Sequence, residues 1–121
     1  PFIDAKTLYE SFEQFNKSDA NYCLGITNFP FPIQRAIRVS DKNRLTMFNQ
    51  ENSHKRSQDL DEAYHDAGQF CWGRATAIKD ELSIYSGSTL PFILPRHLVQ
   101  DIDTMEDWVI VEAMYKLLQT N

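Results

Sequence analysis

The sequence reads as an α/β layered fold, and three observations carry that reading. An amphipathic helical stretch opens the chain, a strand-like apolar run follows it directly, and a capped helix closes the chain after further strands. The order is helix–strand, hairpin, strand–helix–strand–helix. It lacks the opening strand and glycine-rich turn with which a nucleotide-binding sheet begins.

Each element has a local cause. Asp4 can cap a helix running to about Asn16, with Ala5, Leu8, Phe12 and Phe15 on one core-facing side. Lys17-Ser18-Asp19 is a polar break. From Asn21 to Thr27, Tyr22, Leu24 and Ile26 alternate with the period of a strand. Phe29-Pro30-Phe31-Pro32 interrupts regular structure, because each proline biases its predecessor away from helix. Ile33 to Val39 and Arg44 to Phe48 read as strands, and the turn-like Ser40-Asp41-Lys42-Asn43 makes them a hairpin. Asn49 to Gln58 is polar and aperiodic and carries Lys55 and Arg56, a loop or extended arm. Tyr64 to Gly73, with Phe70, Cys71 and Trp72 between two glycines, reads as a short buried strand. Ala75 to Leu82 reads as a short helix, and Thr89 to Leu94 as a strand before Pro95. The last helix runs from about Met105 to Gln119, with Trp108, Val111, Met114 and Leu118 at helical spacing. Thr104 is its N-cap, and Asp107 completes an acidic form of the capping box.

Composition narrows the function. A chain of 121 residues builds a single domain with one modest core. Its net charge of −5 argues against nucleic-acid binding through a general basic field, but not against small anions met by local positive charge. No run of 18 apolar residues is present, so no membrane partner is expected. Cys23 and Cys71 stand far apart without the spacing of a zinc site, and with no leader visible a reduced, cytoplasmic setting is expected. The opening Pro1-Phe2, with no initiator Met and a helix within four residues, is expected of a piece of a longer polypeptide.

The stretch Asp101-Ile102-Asp103-Thr104 is the first chemical candidate. In extended backbone, side chains two apart share a face, so Asp101 and Asp103 can reach one hard cation while Ile102 points into apolar surroundings. Oxygen-only ligands suit Mg²⁺, which takes one or two carboxylates and completes its shell with water and phosphates. Read alone, the same residues also make an acidic turn that caps a surface helix. Tyr64-His65-Asp66-Ala67-Gly68-Gln69-Phe70 is the second candidate, with polar groups around a glycine that permits close approach to the backbone. There His65 can bind a carboxylate or carry a proton, or simply be a surface or capping residue. Arg35, Arg38, Lys55, Arg56, Arg74 and Arg96 are spread over four segments, and Gln34-Arg35 is the most suggestive because it follows a rigid proline turn.

Four stretches taken together resemble one family. They are Phe29-Pro30-Phe31-Pro32-Ile33-Gln34-Arg35-Ala36, Arg56-Ser57-Gln58-Asp59-Leu60, Tyr64 through Phe70, and Val99-Gln100-Asp101-Ile102-Asp103-Thr104. The chain is similar over essentially all its length to the C-terminal half of acylneuraminate cytidylyltransferases, and most of all to the branch that makes CMP-pseudaminic acid. The resemblance implies the C-terminal portion of a Rossmann-like nucleotide-sugar-transferase sheet, with residues 33–60 as a protruding hairpin and arm for dimerisation. It implies that CTP and a nonulosonic acid, of pseudaminic or sialic type, give a CMP-sugar and pyrophosphate, the sugar's anomeric hydroxyl attacking the α-phosphate. Asp101 and Asp103 become the catalytic Mg²⁺ ligands by this resemblance. His65, Asp66, Gly68 and Gln69 lie against the sugar acid, and Gln34, Arg35 and Arg56 near the sugar or the subunit boundary.

Two departures qualify it. The sialic-acid branch has Arg where this chain has His65, which favours pseudaminic acid or a relative, and Cys71 replaces an aromatic residue usual in the pseudaminic branch. The family's N-terminal half, with its Gly/Arg/Lys-rich loop for CTP phosphates, has no counterpart here, so the chain alone is expected to bind nucleotide poorly and to be inactive. A non-catalytic dimerisation or sugar-acid-binding remnant of the fold is the alternative. A metal-dependent phosphatase also uses an Asp-x-Asp pair, but places it at the end of the first strand rather than one helix from the C-terminus.

Overall fold

The computed structural model describes residues 2–120. It is a mixed α/β chain that divides into two compact units, one made of the residues up to Thr27 with those from Asp66 onward, the other of Asn28–His65.

The first unit opens with α1 (Ala5–Lys17), whose N-cap Asp4 accepts the Thr7 N–H at 2.7 Å. That backbone bond, first among the causes, holds the Asp4 carboxyl below its ordinary value. The buried side of α1 is not the expected one. Phe15 is buried, but Ala5 is exposed, Phe12 is 41% exposed, and the other buried residue is Ser11. A serine can occupy that position because both its roles are filled: it donates to the Leu8 carbonyl at 2.9 Å and accepts the Trp72 indole N–H at 2.9 Å. Phe12 keeps an edge-on contact with the Trp72 ring.

Strand β1 (Tyr22–Asn28) is the centre of a three-stranded sheet in the order β4–β1–β5, where β4 is Tyr64–Gly73 and β5 is Thr89–Ile93. The expected alternation gives way to nearly continuous burial from Tyr22 to Thr27, the pattern of a strand covered on both faces. β5 runs parallel to β1, from Tyr22 opposite Thr89 to Ile26 opposite Ile93. Bonds from Arg74 N–H to the Asn21 carbonyl and from Phe29 N–H to the Ala63 carbonyl run β4 antiparallel to β1. Gly25 leaves room on β1 for the Phe70 ring, since a Cβ there would lie 2.9 Å from it.

β4 spans Tyr64–Gly73 as expected but is not buried as expected. It is half-exposed, and only Ala67 is buried, because it lies at one edge of the sheet with a single strand neighbour. On the other edge, Ser88 and Leu94 direct their backbone groups at β1, which turns those of Pro91 outward. The N–H that proline lacks is therefore one the ladder to β1 never uses.

Arg74, at the end of β4, turns the chain into α2 (Ala75–Lys79). Its guanidinium donates to the carbonyls of Phe15, Ser18 and Ala20 and lies 4.9 Å from the Phe15 ring centre. Of the scattered cations read as anion binders, this one closes the C-terminus of α1 instead. α2 stops three residues short of the expected Leu82, where Glu81 adopts a left-handed φ of 53°. The final helix, α3, spans Met105–Gln119 with the Thr104–Asp107 capping box, as expected. Val111, Met114 and Leu118 are half-buried, while Trp108 stays 50% exposed.

In the second unit, Ile33–Arg35 is a 3₁₀ turn rather than the start of a strand. Pro32 fixes the entry, and the N–H groups of Arg35 and Ala36 fold back onto the Pro32 and Ile33 carbonyls. The hairpin follows as β2 (Ile37–Val39) and β3 (Leu45–Met47), with Asn43 at φ 56° in the turn. Its register sets Ile37, Val39, Leu45 and Met47 on one face and Arg38 and Thr46 on the other. The segment read as a loop holds two 3₁₀ turns, Gln50–Asn52 and Ser57–Asp59, with Asn52 buried and bonded to the Gln34 carbonyl. Among the described residues no helix is long and apolar enough to cross a membrane.

Arg74→Ala removes three carbonyl partners and a ring contact together. It is expected to lower stability by about 2 kcal/mol. Urea denaturation followed by Trp72 fluorescence measures this, and an unchanged midpoint would contradict the role given to Arg74.

Candidate metal and sugar-acid site

In the first unit, β4 and the loop that leads into α3 come together. Gly68 has φ +65°, a backbone setting that L side chains rarely adopt, and its N–H donates to Asp66 Oδ1 at 2.8 Å. A Cβ at Gly68 would lie 3.5 Å from Asp101 Cγ, so the Asp101 carboxylate stands beside this turn of the strand with room for about one carbon between them. Next along β4, Gln69 Nε2 donates to the Leu98 carbonyl at 2.7 Å and ties the strand to the 3₁₀ turn Arg96–Leu98.

The loop itself is organised by Asp107. Its Oδ2 accepts the N–H groups of Asp103 and Thr104 at 3.0 and 2.8 Å and the Thr104 hydroxyl at 2.8 Å. Its Oδ1 accepts Gln100 Nε2 at 3.1 Å, and the same amide nitrogen reaches the Asp101 carbonyl at 2.9 Å. The Thr104 hydroxyl and then the Asp103 and Thr104 N–H groups hold the Asp107 carboxyl below the ordinary carboxylate range.

Asp101 and Asp103 are both exposed, and Asp101 Oδ1 also accepts the Ile102 N–H at 3.1 Å. Ile102 does not point into apolar surroundings: it is 40% exposed. Among the described residues no group of three or more His, Cys, Asp or Glu could hold a metal. A magnesium ion asks for less, one or two carboxylates open to water and phosphate, and the exposed Asp101 and Asp103 with their hard oxygen donors fit that requirement.

The other expected residues belong to the second unit. Gln34 Nε2 donates to the Asp61 carbonyl at 2.9 Å, and its Oε1 is buried without a hydrogen-bond partner. Arg56 makes an exposed ion pair with Asp59 at 3.2 Å, a contact of little energetic weight. Arg35 is exposed on its 3₁₀ turn. The His65 ring meets the Phe29 ring edge-on, centroids 4.8 Å apart. An open groove of about 260 Å³ lies among Phe29 to Pro32, Ser57 and Leu60 to Ala63, and none of Gln34, Arg35, Arg56 or His65 lines it. Sequence reading missed Gln100 and the reach of Asp107 beyond helix capping. Both stand beside the acidic pair, but only the fold shows that their side chains meet.

The site is thus an acidic loop at the mouth of a capped helix, braced by a glycine turn of an edge strand. No family model matches the chain. It is 38% identical over 117 residues to the pseudaminic acid cytidylyltransferase of Campylobacter jejuni subsp. jejuni serotype O:23/36, and 37% identical over 117 residues to that of serotype O:2. Each match covers 97% of this chain and 50% of the relative. A Helicobacter pylori protein named as a pseudaminic acid cytidylyltransferase and UDP-2,4-diacetamido-2,4,6-trideoxy-beta-L-altropyranose hydrolase is 35% identical over 111 residues, 92% of this chain and 21% of that protein. The chain is therefore a homologue of the pseudaminic acid cytidylyltransferases, as its four motif stretches imply, and spans about half the length of the Campylobacter relatives.

Gly68→Ala is expected to cost about 1 kcal/mol from backbone strain at positive φ alone, and Gly68→Asn less. Chemical denaturation of both variants checks the order, and equal stability of the alanine variant and wild type would contradict it.

Proposed function

We propose that this chain is the metal- and sugar-acid-bearing portion of a cytidylyltransferase that joins CTP and pseudaminic acid into CMP-pseudaminic acid and pyrophosphate. The observation that carries the proposal is the 37–38% identity to two pseudaminic acid cytidylyltransferases across 97% of the chain. The nearness of Asp101 to Gly68 supports the site assignment, since it sets the acidic loop beside the β4 segment assigned to the sugar.

Asp101 and Asp103 would hold Mg²⁺. An ion held there would supply positive charge to offset that on the nucleotide phosphates and to favour ionisation of a nearby hydroxyl. His65, Asp66, Gly68 and Gln69 orient the sugar acid through its carboxylate and hydroxyls, a contribution made by positioning. Gln34, whose Oε1 has an unused acceptor site, Arg35 and Arg56 serve the sugar or the subunit boundary. The exposed, free Cys71 accords with a reducing cytoplasmic compartment.

The test is a chimera. The matching half of the Campylobacter serotype O:23/36 enzyme is replaced by this chain, and Mg²⁺-dependent pyrophosphate release from CTP and pseudaminic acid is measured. Activity is expected, with N-acetylneuraminic acid neglected, and Asp101→Asn or Asp103→Asn should each lower the rate by at least a hundredfold. Unchanged rates in these variants would remove the metal assignment. A second reading is a non-catalytic dimerisation or sugar-acid-binding module, which the exposed apolar hairpin face would suit, and a folded but inactive chimera would support that one.

We further propose that the 33–60 segment forms a homodimer through the exposed apolar hairpin face. Ile37, Val39 and Leu45 are 53%, 69% and 63% exposed on that face, an unusual surface for a side of a hairpin left in water. Sedimentation is expected to find a wild-type dimer at micromolar concentration and a monomer for Val39→Asp with Leu45→Asp. A dimer that survives both substitutions would place the interface elsewhere.

A further inference from the structure

We infer that Gln100 and Asp107 are positioning residues for the Asp101–Asp103 pair, clasping the loop between them in the shape that lets both carboxylates meet one divalent cation. The inference rests on the metal reading above and extends it to two residues that the reading does not include.

A pair of ligands on an exposed loop pays for every conformation in which the two do not converge, so affinity depends on what holds the loop. Here one carboxylate gathers both ends of it. Asp107 receives Gln100 from before the pair and the N–H groups of Asp103 and Thr104 from within and after it. Gln100 uses its amide nitrogen twice, on Asp107 and on the carbonyl of Asp101 itself. Helix capping explains only part of this pattern. The capping box needs the reciprocal bonds between Thr104 and Asp107. The bonds from Asp103 N–H and Gln100 lie outside it, and they are the ones that reach the proposed ligands.

Asp107 is itself placed to support the loop rather than to bind metal. Its Oδ2 already takes three donors and its Oδ1 takes Gln100. It also sits in the first turn of the 15-residue α3, so the loop inherits the rigidity of a regular element. From the opposite side, β4 ties the loop through Gln69 on the Leu98 carbonyl, and its Gly68 turn stands beside Asp101. Asp101 thus lies between a strand and a helix terminus, with Gln100 linking it to the latter.

The experiment measures Mn²⁺ binding to the 121-residue chain by electron paramagnetic resonance, beside the urea midpoint of each variant. Gln100→Leu lies outside the capping box and keeps side-chain size, while Asp107→Asn removes the charge that gathers the loop. Both are expected to weaken Mn²⁺ about tenfold, with Gln100→Leu leaving the urea midpoint in place and Asp101→Asn abolishing binding. Wild-type Mn²⁺ affinity in Gln100→Leu and Asp107→Asn, with binding lost in Asp101→Asn, overturns the clasp and leaves the metal reading intact. Weakened binding in Asp107→Asn alone, together with a lowered midpoint, also overturns it, because capping then accounts for everything. A wild-type chain that binds no Mn²⁺ overturns the metal reading and the clasp with it.

Discussion

The guanidinium of Arg74 is the joint on which the first unit depends. Three carbonyls at and just beyond the end of α1 converge on it, and the Phe15 ring lies against it. A buried helix end without partners would be costly, because each unsatisfied carbonyl forfeits its hydration. Arginine suits this place better than lysine, since its fixed fork serves several acceptors in one plane while the flat cation stacks on an aromatic ring. Arg74 also ends β4 and starts α2, so a single side chain ties the direction of the first helix to the edge of the sheet.

From that joint the site is reached through β4. The strand is fixed at one end by Arg74 and by the Trp72–Ser11 bond, and carries Gly68 and Gln69 at a defined distance along its length. It meets the loop before α3 there, by a side-chain bond and with its Gly68 turn beside the Asp101 carboxylate. The polar groups of the site therefore sit on regular elements or within one hydrogen bond of them. That is how an exposed loop keeps a definite shape without a covering lid.

How much of this could be read from the sequence varies with how local each cause is. α3 was legible to its end residues because a capping box and a helical apolar stripe lie within a few positions of each other. The hairpin was legible for the same reason, its turn residues standing between short apolar runs. Ser11 and Arg74 were not, because their partners are 61 and about 55 residues away and nothing near them in the chain announces the meeting. Burial along β1 and β4 misled in opposite directions. Apolar periodicity reports the residues of a strand, whereas its place at the centre or the edge of a sheet decides how much of it is covered. In the site, spacing left the acidic pair open between a cation site and a helix-capping turn. The Gln100–Asp107 contact depends on how the chain turns between them, and spacing alone does not give that.

Pro91 gives the sheet a direction of growth. On the β5 side, a further strand would meet a five-residue row whose middle position has no hydrogen to offer, so the ladder there would be broken at its centre. On the β4 side, no proline interrupts Tyr64–Gly73, and the row is longer, bent at Gly68, whose N–H is already given to Asp66. Edge-to-edge stacking of identical sheets into a fibre needs both sides to be receptive, and here one side is closed. Pairing through the edges of this sheet is thus disfavoured beside Pro91 and less so beside β4.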